Sequence, residues 1–294
     1  MQLSESYYRW TDGLTPEIPD DGKSFFGRDS FANYILIGSM QLGTELFQVQ
    51  DGKVSYHVEE SVMRRLWDHY YVPYISGYFA SYGKFRSDDV KTGDIIALVG
   101  STSSATYFPT EVTNADGSTY PIDALAFPVP NFDGTEPYAV QQGAGMAVTK
   151  SDSSKEYAAT VFLKWFTAKD QSLSFDLGSG YLPVLIELNS DEVLQEAIES
   201  SGDSIPDTLA KSLIIGAQTV QNNTLYTNKA FAEGNRARNI VETSMPQKAK
   251  EDRAAIEALM EGGMSRQDAI AQYDTEENFQ AWLAQFQREL AELS

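Results

Sequence analysis

A chain of 294 residues can form one large domain or two ordinary ones and bury a sizeable core. Its 42% hydrophobic and 22% charged residues are usual for a folded globular protein, and its formal net charge of −20 repels phosphate backbones and anionic headgroups. Nucleic acid is thereby excluded as the expected partner, as is docking on lipid through a basic face. With no cysteine, disulfides, thiolate metal sites and a cysteine nucleophile drop out. Aromatics reach 12%, with 16 tyrosines, whose flat apolar faces and polar tips suit a core or the wall of a polar-ligand cleft. No run approaches the ~20 apolar residues of a transmembrane helix, and residues 1–27 lack the basic and apolar regions of a signal peptide.

Residues 1–12 read as the tail of a helix and 11–24 as a Pro/Asp/Gly-rich loop. Arg28-Asp29-Ser30-Phe31 opens a helix to about Gly43, and Asp51-Gly52 marks a hairpin-like turn. Val62, Leu66 and Tyr70, with Trp67 and Tyr71 beside them, predict a helix over 59–79 that Pro73 ends or kinks. A short capped helix at 87–93 runs into an apolar strand, Asp94 to Val99. Gly100 to Ser104 sits at that strand's C-terminal end, where α/β sheets bind ligands. Residues 113–117 form an acidic turn, and 125–130 a short strand with a Pro exit.

The stretch from Tyr138 to Val184 is the most organised. Gly143 to Val148 is a short Gly-punctuated apolar run, which predicts a strand. Ser151 to Ser154 then caps a helix whose Tyr157, Val161 and Trp165, flanked by Ala158, Phe162 and Phe166, form a stripe wide enough for a core face. A second short helix, 170–177, ends at Gly178-Ser179-Gly180, and Pro183 keeps the exit extended. Helices follow at 190–200 and from Pro206 to Val220, then a polar-aromatic loop at 222–227 and a long helix from Lys229 to Ser244. The tail is helical, with a capping box at Ser265 and Asp268 and a break at Gly262-Gly263. Its last helix, capped by Thr275, aligns Phe279, Trp282, Leu283, Phe286 and Leu290. Trp10, Trp67, Trp165 and Trp282 all fall on helical stripes and are expected in cores.

The order "GAGMAVTKS", "KEYAATVFLKWF", "SGYLPV", together with "RSDDVKTGDIIALVGSTSSATYF" and the helical tail, resembles the extracellular solute-binding proteins of ABC importers, in particular the sugar-binding family. The resemblance runs through almost the whole chain. It implies an α/β, periplasmic-binding-protein-like (type II) two-lobe fold, helix-rich, of which this chain supplies mostly the second lobe. By analogy residues 1–138 and 190–294 form that lobe, and 139–189 return to a first lobe most of which the chain does not contain. The stripe around Trp165 would then expose roughly a few hundred Å² of apolar surface. The family's members are exported and in Gram-positive bacteria commonly lipid-anchored through an N-terminal cysteine. The absence of both signals implies a start partway into a longer parent.

Such proteins capture a sugar or other small polar solute by hinge closure and hand it to the permease subunits in the membrane, without chemistry on it. Four places are candidates for the ligand. Arg28, Asp29 and Phe31 stand at a helix start after a loop, where an N-cap ion pair is the plainer reading. Ser101, Thr102 and Ser103 follow the strand, and are otherwise a polar turn. Gln141, Gln142 and Gly143 precede the crossing strand. Tyr226, with Asn223 beside it, lies in a loop matching a cleft-lining segment. Enzymatic readings fare worse. His57 and His69 are the only histidines, no Gly-x-Ser-x-Gly elbow occurs, and no phosphate loop, dinucleotide fingerprint or calcium loop is present, so neither cofactor nor metal is expected. Two alternatives stay open: a carbohydrate-active α/β hydrolase, since 42 acids allow a carboxylate pair, and a sensor that docks on a receptor.

Overall fold

The computed structural model describes residues 2–202 and 205–293. After α1 (Gln2–Asp12) and its loop, β1 (Phe26–Arg28) leads into α2 (Phe31–Gln41), and β2 (Phe47–Gln50) and β3 (Lys53–Tyr56) form a hairpin. Its turn residues Asp51 and Gly52 both take positive φ, as a tight two-residue turn requires. Then come α3 (Glu60–Ile75), α4 (Arg86–Lys91) and β4 (Ala97–Val99), which pairs parallel with β1. A 3-10 turn (Thr102–Tyr107) precedes the hairpin of β5 (Glu111–Thr113) and β6 (Thr119–Pro121). Next are β7 (Tyr138–Val140), α5 (Ser153–Phe166), α6 (Lys169–Ser179), α7 (Asp191–Ser200) and α8 (Asp207–Asn222). Last come β8 (Thr224–Tyr226), α9 (Gly234–Glu261), α10 (Arg266–Ala271) and α11 (Glu276–Ala291).

The main core gathers where apolar stripes from distant parts of the chain meet. α9 lies across α2 and α3 and is backed by α10 and α11. Trp67 and Tyr71 stack at the centre, against Phe279 and Trp282 of the C-terminal stripe, all buried as their helical spacing predicts. The α3–α9–α11 junction is pinned by one buried carboxylate. Asp252 accepts from the Tyr71 hydroxyl, from Asn278 Nδ2 (2.9 Å) and from Lys248 Nζ (2.8 Å). Burial and this bond push the Tyr71 hydroxyl pKa up, so it stays a donor. The start of α2 is held from outside its own sequence. Ser30 takes a left-handed conformation and offers no side-chain cap. Instead Glu242 of α9 accepts from the N–H groups of Phe31 (2.9 Å) and Ala32 (2.7 Å).

Several expectations are corrected. Residues 143–148 form no strand. They are exposed, and no neighbouring strand among the described residues takes their N–H and C=O groups; three residues earlier, β7 finds β8. Residues 125–130 likewise form no strand. The apolar strand at 94–99 is shorter and only half-buried, and its partner is Phe26–Arg28, so Arg28, read as opening a helix, ends a strand instead. The long helix runs through Pro246 to Glu261. The buried row Ala237, Val241, Met245, Ala249 and Ile256 carries it past the bond that proline cannot make. Trp10 (61% exposed) and Trp165 (54%) are not core residues. None of α5 is buried: Tyr157 is 73% exposed, although the Asp152 cap forms as expected. By contrast α6 packs on α8 and buries Ser172 and Asp176.

Two stability measurements follow from these buried acids. Replacing Asp252 by Ala leaves the buried Tyr71 hydroxyl without an acceptor and should cost about 3 kcal/mol in urea unfolding; a loss under ~1 kcal/mol would show that the junction does not depend on it. Burial pushes the Asp176 carboxyl up to about 6, against a partner hydrogen bond from Ser172 (2.8 Å). Because its folded pKa lies above the unfolded one, its favourable protonated form is fully present below about pH 4 and is lost as pH rises through 6. D176N should therefore be more stable than the parent at pH 7.5, by roughly 1–2 kcal/mol, and indistinguishable from it near pH 4.

Candidate functional site

The parallel pairing of β7 with β8 sets Tyr138, Ala139 and Val140 opposite Thr224, Leu225 and Tyr226, so that the segments leaving both strands start side by side. The Gln141 N–H extends that ladder by donating to the Tyr226 carbonyl (2.9 Å). α2 positions the other wall. Its buried Gln41 accepts from the Phe132 N–H (3.1 Å) and donates to the Tyr138 carbonyl (3.3 Å), so β7 is laid along α2. The result is a pocket of about 640 Å³ between α2, the β7 exit, the loop after β8 and the first turn of α9. Leu36 and Ile37 supply an apolar floor, and Tyr226 an aromatic edge.

Its polar groups are already oriented. Arg238 donates through Nη2 to Asn33 Oδ1 (2.7 Å), and Asn33 Nδ2 donates to Gln142 Oε1 (3.0 Å), so one chain of bonds crosses from α9 to the β7 exit. The Tyr226 hydroxyl donates to Glu45 Oε1 (3.2 Å), and burial and then that carboxylate push its pKa up, which keeps the proton in place. Glu233 is bonded to Arg236 (2.9 Å). Asn228, Lys229 and Asn235 complete the polar rim.

Of the residues singled out from the sequence, Gln142 and Tyr226 line this pocket, and Gln141, Gly143 and Asn223 lie in the segments that form it without lining it. The others sit elsewhere. Phe31 is buried in the core against Tyr34 and Tyr70, because its helix turns that face toward α3. Arg28 lays its guanidinium over the Tyr34 ring (4.5 Å to the centroid), where burial pulls its pKa down. Asp29 is an ion-pair partner, accepting from the Arg86 backbone N–H (3.1 Å) with Arg86 Nε 3.5 Å away. Burial raises its carboxyl despite those bonds. Ser101, Thr102 and Ser103 form a capped turn. Ser101 Oγ accepts from the Ser104 N–H (3.2 Å) and shares a bond with Ser103 Oγ (2.9 Å). That turn is pressed on two glycines: a Cβ at Gly180 would come within 2.7 Å of Ser103 Cα, and one at Gly216 within 2.8 Å of Thr102 Cγ2.

Asn33, Lys229 and Arg238 also line the pocket and are not among the candidates named from the sequence. Lys229 and its neighbours were hidden by starting the long helix five residues early, and Asn33 and Arg238 read as solvated helix positions. The signal available was the Gly234-Asn235-Arg236 break after a polar-aromatic loop. Among the described residues no cluster of His, Asp and Glu is placed to hold a metal ion.

The model of the bacterial extracellular solute-binding protein family matches residues 8–200, about two thirds of the chain. The chain belongs to that family. Its fold agrees: the solute-binding chain is similar to the crystal structure of the cyclic alpha-maltosyl-1,6-maltose binding protein from Arthrobacter globiformis, with a TM-score of 0.51 at 17% identity. The similarity covers 96% of this chain and 64% of that protein, so the chain spans less than two thirds of its structural relative. The helix-rich α/β, periplasmic-binding-protein-like fold read from the sequence is the fold of this relative. No curated protein matches the chain.

Proposed function

We propose that this solute-binding protein captures a sugar or oligosaccharide in the pocket between α2, β8 and α9, and presents it to the membrane subunits of an ABC importer without altering it. The observation that carries the reading is the pre-oriented polar chain Arg238–Asn33–Gln142 beside the Tyr226 ring and an apolar floor. A pyranose needs that combination: fixed donors and acceptors for hydroxyls, and flat apolar surface for its C–H face. The volume, about 640 Å³, suits a ligand of one to three sugar rings. A glycosidase would need two facing carboxylates. Among the described residues Glu233 is the one carboxylate on the lining, and Arg236 occupies it.

In this reading residues 1–138 and 190–294 make the second lobe, and α5 reaches toward a first lobe whose contact completes the cleft outside the cytoplasm. Support comes from the uncovered face of Tyr157, Val161, Phe162 and Trp165. At roughly 25 cal/mol per Å², covering it would contribute several kcal/mol.

Isothermal titration with pools of oligosaccharides tests the pocket. At least one pool should bind, and Tyr226→Ala or Asn33→Ala should weaken it at least tenfold; silence from every pool would defeat the reading. For the α5 face, the protein alone should bind ANS, and the double change Phe162→Ser, Trp165→Ser should remove most of that signal while leaving the melting temperature within about 2 °C. A monomer that binds no ANS would contradict an open lobe contact.

A further inference from the structure

The pocket's charge runs against that of the chain. Acidic residues outnumber basic ones 42 to 22 overall, yet the lining holds Lys229, Arg236 and Arg238 against the single acid Glu233. Arg236 and Glu233 pair with each other, 2.9 Å apart. Among the described residues that leaves two cations with no carboxylate within ion-pair distance: Arg238 holds the neutral Asn33, and Lys229 has no partner. The first turn of α9 adds to the excess. It contains no acid, its N-cap residue Glu233 makes no side-chain cap bond, and Gly234, Asn235 and Arg236 stand there instead. α1, α7, α8 and α11 all carry an acid in their first turns. An arginine at a helix N-terminus opposes the macrodipole and is locally unfavourable, so the arrangement concentrates positive potential at this one place.

Donors also outnumber acceptors. The carboxylate of Glu45 is engaged by Tyr226, that of Glu233 by Arg236, and Gln142 Oε1 by Asn33. Lys229 and the remaining Arg238 N–H groups are left as groups that can only donate, while Asn228 and Asn235 both donate and accept. A neutral sugar hydroxyl can accept from Lys229 and Arg238 but leaves their charge uncompensated. A carboxylate compensates it, through the planar fork of Arg238 and the point charge of Lys229. We infer that the ligand is an acidic saccharide, a uronate-containing mono- or oligosaccharide, with its carboxylate between Arg238 and Lys229 at the first turn of α9. The inference rests on the saccharide reading above and names the class of sugar.

Thermal shift and titration calorimetry at low salt decide it, using oligogalacturonides, neutral galactose oligomers of the same length, and citrate. The oligogalacturonides should bind at least tenfold more tightly than the neutral oligomers, and the gap should narrow as salt is raised to 0.5 M. R238Q should erase the preference. K229Q, at an exposed loop position that cannot unfold the protein, should reduce it severalfold with the unliganded melting temperature unchanged. Neutral oligomers binding as well as or better than the acidic ones would overturn the inference and leave the saccharide reading standing. Citrate binding as tightly as the oligogalacturonides would remove the sugar from the account. No response to any of the three would count against both.

Discussion

One helix face holds this molecule together. Along α9, Arg238, Glu242 and Asp252 reach out in turn to Asn33, to the first N–H groups of α2, and to Tyr71 with Asn278. Between them Val241, Met245, Ala249 and Ile256 fill the core. Each charge-assisted bond is worth about 1.5–3 kcal/mol, against a total stability near 5–15 kcal/mol. The pocket is therefore not an addition to the core. Its α2 wall starts where Glu242 fixes it, one turn from the Arg238 that orders Asn33 and, through it, Gln142.

That economy explains what could and could not be read from the residues. Period and caps were legible wherever structure is local. The stripes of α3 and α11 are buried as their spacing demands, and Asp152, Ser190, Ser265 and Thr275 cap the helices they precede. Non-local pairings were not. β1 with β4 and β7 with β8 are three-residue strands brought together from more than seventy residues apart, too short to carry a pattern of their own. The apolar run at 143–148 has a strand's composition and no strand beside it, so composition misled.

The site was half legible for the same reason. Tyr226 and Gln142 lie in polar, turn-rich segments that advertise exposure to a ligand. Asn33 and Arg238 look like solvated positions until the helices that carry them are crossed. The Ser101 turn, by contrast, binds Ser101 Oγ to the Ser104 N–H and to Ser103 Oγ and is packed against Gly180 and Gly216, away from the pocket that Gln142 and Tyr226 line. On a chain of net charge −20, a lining that holds Lys229, Arg236 and Arg238 beside Glu233 is a local exception to the acidic balance.

The central claim is that the crossing of α2, β7–β8 and the start of α9 is where a solute is held. Hydrogen–deuterium exchange on the full chain, with and without an oligosaccharide pool that binds, reads this directly. The account predicts slowed exchange confined to residues 33–37, 141–143 and 226–238, with 101–107 unchanged. Protection centred on 101–107 and α8, with the α2–α9 crossing unaffected, would contradict it.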